Sequence, residues 1–150
     1  MFLGMERVAI VGAAMTRFGD RPEWVAELLT EAAEATIADA GVDRRRIDHV
    51  YIANMASGEF EGHAGIANRL VHDCQLIDAY CARIDQTSAS GGAGVYAGWQ
   101  AVASGAATCA LVVGAAKMTH RTTAEATDVI ASLTHPVEYK HGVTLPSFAG

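Results

Sequence analysis

The chain has 150 residues, of which 51% are hydrophobic and 19% charged, with a formal net charge of -6. That length suits one domain with a real core rather than two ordinary ones, and the composition is that of a folded α/β protein rather than a disordered one. The acidic balance, without a basic stripe, argues against a nucleic-acid partner, and the odd set Cys74, Cys81 and Cys109 lacks metal-ligand spacing.

In chain order, the opening MFLGMERVAIVG has neither the basic leader nor the apolar run of a signal peptide, so a reducing, cytoplasmic setting is expected. RVAIVGAA, Arg7 to Ala14, has the β-branched content of a buried parallel strand. Asp20, Pro22 and Glu23 are expected to open a helix as a capping box. Its apolar face carries Val25, Leu28, Leu29, Ala32 and Thr36, and Gly41 closes it. Asp48 to Asn54 reads as a second strand, followed by a short helix around Ile66 to His72 and a third strand over Tyr80 to Gln86. A glycine-rich helix is expected over Ser88 to Ser104, and CALVVGAA supplies a fourth strand. This β-α-β-α-β-α-β order implies a mostly parallel sheet with helical crossovers. After Lys117 two prolines and three histidines replace the alternation, and that tail is expected as a functional loop region.

Between Gln86 and Ala116 there is no charged residue and no histidine. Its glycines, serines, threonines and Gln100 interrupt the continuous apolar run of about 20 residues that a membrane span needs. A buried helix and strand are expected instead, the helix apolar on every side. Each of Gly91, Gly92, Gly94 and Gly98 costs helix stability by roughly 1 kcal/mol against alanine, so they imply close approach by another backbone, helix or ligand. Ser88 stands at the strand-to-helix junction, where free N–H groups and partial positive charge ease the formation of an anion. The plain alternative is that Ser88 only caps the helix. G-x-S-x-G is excluded because Gln86 precedes Ser88 by two, G-x-G-x-x-G is absent after the first strand, and no P-loop lysine follows a glycine cluster.

The segment DQTSASGGAGVYAGWQAVASGAATCALVVGAAKMTHRTT resembles the nucleophile segment of the thiolase superfamily, in which a catalytic cysteine precedes a small residue and Ser-Gly. The matching positions are Ser88, Ala89, Ser90-Gly91, Ser104-Gly105, and Gly114 through Lys117-Met118-Thr119. The opening ERVAIVGAAMTRFG is similar to thiolase beginnings of the archaeal, lipid-transfer-protein-like acetyl-CoA acetyltransferase branch. The resemblance implies a five-layered αβαβα fold, of which residues 1–118 supply most of the first half-domain, left incomplete, and 119–150 the start of a loop domain. It implies C-acyl transfer on CoA thioesters, with CoA as substrate and no metal or redox cofactor. A homodimer or tetramer and a small OB-fold partner subunit are also implied.

The departure is Ser88 at the cysteine position. Serine is a far weaker acid than a thiol titrating near 8.5 and needs a general base. The resemblance implies histidines for that role, from beyond residue 150. A working serine is the favoured reading. A cysteine-to-serine replacement, a thiolase-fold aldolase that never forms an acyl intermediate, and a non-catalytic acyl-CoA-binding subunit remain the alternatives. His120, His135 and His141 are expected to be structural or exposed, His141 being a minor pocket candidate. Lys117 and Arg121 could meet CoA phosphates but read more simply as surface charge, and Met118 could line an acyl pocket. Cys81 and Cys109 read as buried strand residues. Asp85 is expected buried and paired with a partner subunit or a backbone amide.

Overall fold

A computed structural model describes residues 7–142. Three strands, β1 (His49–Ala53), β2 (Tyr80–Ile84) and β3 (Ala110–Gly114), form an all-parallel sheet in the order β2-β1-β3. The helices are α1 (Val25–Ala40), α2 (Ser57–Glu61), α3 (Ile66–Asp73), α4 (Ser90–Ala103), α5 (Thr123–Ser132) and α6 (Pro136–Lys140).

Period-two alternation assigns each strand residue to a face. Val50, Ile52, Leu111 and Val113 pack with Val25, Leu29, Ala33 and Ile37 of α1 and with Ile66 and Leu70 of α3. Tyr51, Ala82, Ile84, Ala110 and Val112 pack with Ala97 and Ala101 of α4 on the other face. The described residues are therefore an α/β/α sandwich, in agreement with the expected α/β class and parallel sheet. The C-terminal ends of the strands open toward Asn54, Asp85 and Ala115.

Four sequence expectations need correction. Arg7 to Ala14 is not a strand. Val8 to Gly12 runs beside β3, lining with it a cavity of about 430 Å³, without joining its ladder. The Ala13 N–H donates to Asp39 Oδ2 at 2.9 Å, and a Cβ on Gly12 would lie 2.7 Å from Ala40. The segment is thus held against the end of α1 rather than zipped onto the sheet, leaving Ile10 85% exposed. A strand composition does not suffice where no ladder partner is engaged.

The capping box on Asp20, Pro22 and Glu23 is also wrong, because α1 begins at Val25 with Trp24 at the N-cap. Glu23 is engaged by the Arg21 guanidinium at 2.8 and 2.9 Å. Glu27 accepts the Trp24 N–H at 2.8 Å, and Glu61 of α2 accepts the Val25 N–H at 3.1 Å. The buried face is accordingly Val25, Leu29, Ala33 and Ile37, while Leu28, Ala32 and Thr36 line a second cavity of about 390 Å³.

Third, the described part of the tail, to residue 142, is largely helical rather than a loop. Thr122 and Glu125 form a capping box at the start of α5, and His135 caps α6 with Pro136 at its first position. Fourth, α4 is not buried all round. Ser90, Gly94, Gly98, Ala101 and Ala103 are buried, whereas Val95 and Tyr96 are 56% and 58% exposed.

Candidate active site

β2 ends at Ile84, and the chain reaches α4 through a turn over Asp85 to Ala89. The Ala89 N–H donates to the Gln86 carbonyl at 2.9 Å and the Ser90 N–H to the Thr87 carbonyl at 3.1 Å. At its centre Thr87 has φ +48°, in the left-handed region that a β-branched residue rarely adopts. Three hydrogen bonds fix it. Asp85 Oδ1 accepts the Thr87 N–H at 3.0 Å, while Ser90 Oγ accepts the Gln86 N–H at 2.9 Å and donates to the Thr87 carbonyl at 2.6 Å.

Ser88 is exposed at the crest of this turn, at the C-terminal rim of the sheet, where open parallel sheets present their ligand sites. The capping alternative does not describe it: Ala89 occupies the N-cap, and the hydroxyl bonding the turn belongs to buried Ser90. The first turn of α4 follows, and Cβ atoms on Gly91 and Gly92 would meet nothing within 4 Å. The close approach expected of the glycines is made instead by Gly94 and Gly98. A Cβ there would lie 3.2 Å from Ala53 and 2.7 Å from Val112, respectively, so these two glycines let α4 sit against β1 and β3.

The rim beside Ser88 is tied together by a group that the sequence reading missed. Asn54, 3% exposed, donates from Nδ2 to the Ala115 carbonyl at 2.7 Å and accepts the Ser57 N–H at 3.0 Å. Its own N–H donates to the Ile84 carbonyl at 3.2 Å. Asn54 thus fixes the ends of all three strands relative to one another. The signal was a lone asparagine closing an apolar strand, since a buried amide must find partners.

Other candidates are placed away from this turn or given different work. Ser88 lines neither the 430 Å³ nor the 390 Å³ cavity; Met118 lines the latter. Lys117 is 7% exposed and donates to the Arg21 carbonyl, so it is not the surface charge expected. Arg121 donates to the Phe60 carbonyl at 2.6 and 2.8 Å, and His120 Nε2 bonds the same oxygen at 2.9 Å. His135 Nδ1 accepts the Val137 N–H at 3.3 Å, and His141 is exposed at the end of α6. The residues that follow Gly142 lie outside the described residues. Asp85 is exposed rather than buried, paired with the Thr87 amide and 3.7 Å from Arg83.

None of the three thiols offers an alternative nucleophile. Burial pushes Cys74 up to about 12 and also raises Cys81 and Cys109, keeping all three protonated near neutrality. Among the described residues no helix is long and apolar enough to cross a membrane, and no three His, Cys, Asp or Glu side chains gather as metal ligands.

Comparison with known proteins places residues 8–150 on the family described as "Thiolase, N-terminal domain". The chain is 33% identical over 147 residues to an acetyl-CoA acetyltransferase of Methanothermobacter thermautotrophicus. It is 34% identical over 145 residues to an acetyl-CoA acetyltransferase of Methanocaldococcus jannaschii. Each match covers 95% of this chain but 37% and 36%, respectively, of the relative.

Proposed function

The chain belongs to the thiolase family, matching its N-terminal domain, and from that premise we propose that its protein transfers acyl groups on coenzyme A thioesters with Ser88 as acyl acceptor. The observation that carries this reading is the exposure of Ser88, set on a braced turn between a parallel strand and a helix start. The names of the archaeal relatives support the substrate class.

In the acylation step the Ser88 oxygen attacks the thioester carbonyl while its proton passes to a general base. The resulting oxyanion collapses, the carbon–sulfur bond breaks, and the coenzyme A thiolate leaves and takes up a proton. Attack on the Ser88 ester by the α-carbon of a second acyl-CoA gives condensation. Attack by the thiol of coenzyme A, after cleavage of a 3-oxoacyl-CoA, completes thiolysis. The base is proposed to be a histidine outside the 150 residues, the source that the family resemblance implies. No metal or redox group enters these steps.

The protein is proposed to act in the cytoplasm as a homodimer or tetramer, with β2 at the contact. That strand is one of the two edges of the described sheet, with Tyr80 57% exposed. A small OB-fold subunit is the further proposed partner, and residues 119–150 are proposed to begin a separate loop domain. The second reading, retro-aldol cleavage of a CoA thioester, is favoured by one observation: an oxygen rather than a sulfur stands at the nucleophile position.

Intact mass spectrometry of the full-length protein after exposure to acetyl-CoA separates the two. One acetyl adduct, absent from Ser88→Ala, is the expected result. Tight coenzyme A binding without any adduct would support the aldol reading.

A further inference from the structure

We propose that Ser90 is a positioning residue that holds Thr87 in its left-handed conformation and thereby presents Ser88, a role that rests on the reading of Ser88 as acyl acceptor. A non-glycine residue persists at positive φ only where its surroundings over-determine it. Thr87 has a branched Cβ and φ +48°, so the turn must be held. The strongest restraint is the Ser90 hydroxyl. It is buried, with the residue 6% exposed, and it bonds the amide of Gln86 and the carbonyl of Thr87 at once. Asp85 adds a single bond to the Thr87 amide from an exposed side chain.

Removing the Ser90 hydroxyl leaves the Gln86 N–H without its partner and the Thr87 carbonyl with only the Ser90 N–H, at 3.1 Å. Thr87 then relaxes toward an ordinary φ of about -60°, and the rotation carries the next residue, Ser88, off the crest of the turn. Ser90 does not reach the substrate in this account. It acts through the backbone of Thr87.

The test is single-turnover acetylation of the full-length protein by acetyl-CoA, followed by intact mass, with thermal unfolding recorded on each variant. Ser90→Ala is expected to slow acetylation by about tenfold or more while the acetyl-CoA concentration giving half-maximal rate stays unchanged. Thr87→Gly added to Ser90→Ala is expected to recover most of the rate, because glycine takes positive φ without a brace. A merely structural serine gives a different pattern: lowered melting temperature, weakened acetyl-CoA binding, and no recovery with Thr87→Gly. That pattern overturns the positioning role, as does acetylation of Ser90→Ala at the unsubstituted rate. If the unsubstituted protein forms no adduct at all, the acyl-acceptor reading fails first and the role of Ser90 falls with it.

Discussion

Asp48, immediately before β1, shows how a single carboxylate can tie a sheet together. Burial alone would raise its pKa, but the N–H and hydroxyl of Thr108, the N–H of Cys109 and the His49 ring outweigh it. They hold the group at about 2 rather than 3.8. The contacts join the start of β1 to the start of β3. Because the folded-state value is depressed, this stabilisation is fully present above pH 3.8 and is lost as pH falls through about 2. The side chain is 41% exposed, so solvent screens the charge. Asp48→Ala is therefore expected to cost only about 1 kcal/mol at neutral pH. Urea unfolding of both proteins from pH 7 to pH 2 should show the gap narrowing below pH 3.8. A gap that stays constant to pH 2 would mean that packing, not the carboxylate, carries the effect.

Among the elements, α4 shows best what its sequence reveals and what it hides. Its glycines announce a close approach, but which ones make it depends on the helix's rotation against the sheet. Gly98→Ala gains about 1 kcal/mol of helix propensity and meets Val112 at 2.7 Å. Val112 is β-branched and cannot swing aside, and overpacking costs about 1–3 kcal/mol. Net destabilisation of roughly 1 kcal/mol is expected, reversed when Val112→Ala is added, in a denaturant-unfolding double-mutant cycle. Additive effects of the two changes would show that the helix shifts instead. The same limit explains the other elements. The cores of β1, β2, β3, α3 and α4 were legible because their apolar runs are bounded by glycine or polar residues. Arg7 to Ala14 was not, since strand status depends on a partner that no local pattern encodes. The start of α1 was missed because Glu61, 36 residues away, supplies its cap. The tail helices were legible after all, in Thr122-x-x-Glu125 and His135-Pro136. At the site, Ser88 stood out by its place between strand and helix, whereas Ser90 and Asn54 became visible only with the turn and rim they bond.

At the scale of the molecule, the outward face of α4 stands apart from the rest. Val95 and Tyr96 are 56% and 58% exposed and Trp99 36%, and the Tyr96 and Trp99 rings stack with centroids 5.6 Å apart. No charge occurs between Gln86 and Ala116 to solvate this face. Contiguous exposed apolar surface of this kind marks a contact, and the chain spans only 37% of the length of its Methanothermobacter relative. Residues 1–150 expressed alone are therefore expected to self-associate through α4, and Tyr96→Glu to disperse them, as read by sedimentation. With every other tryptophan replaced by Phe in both proteins, Trp99 is expected to emit further to the red in the dispersed 1–150 chain than in the full-length protein. A 1–150 chain that sediments as a monomer, with Trp99 emission matching the full-length protein, would mean that α4 meets water in both. The absence of charge along this helix would then reflect its packing on the sheet alone, because Gly94 and Gly98 need a smooth, uncharged ridge wherever the outer face lies.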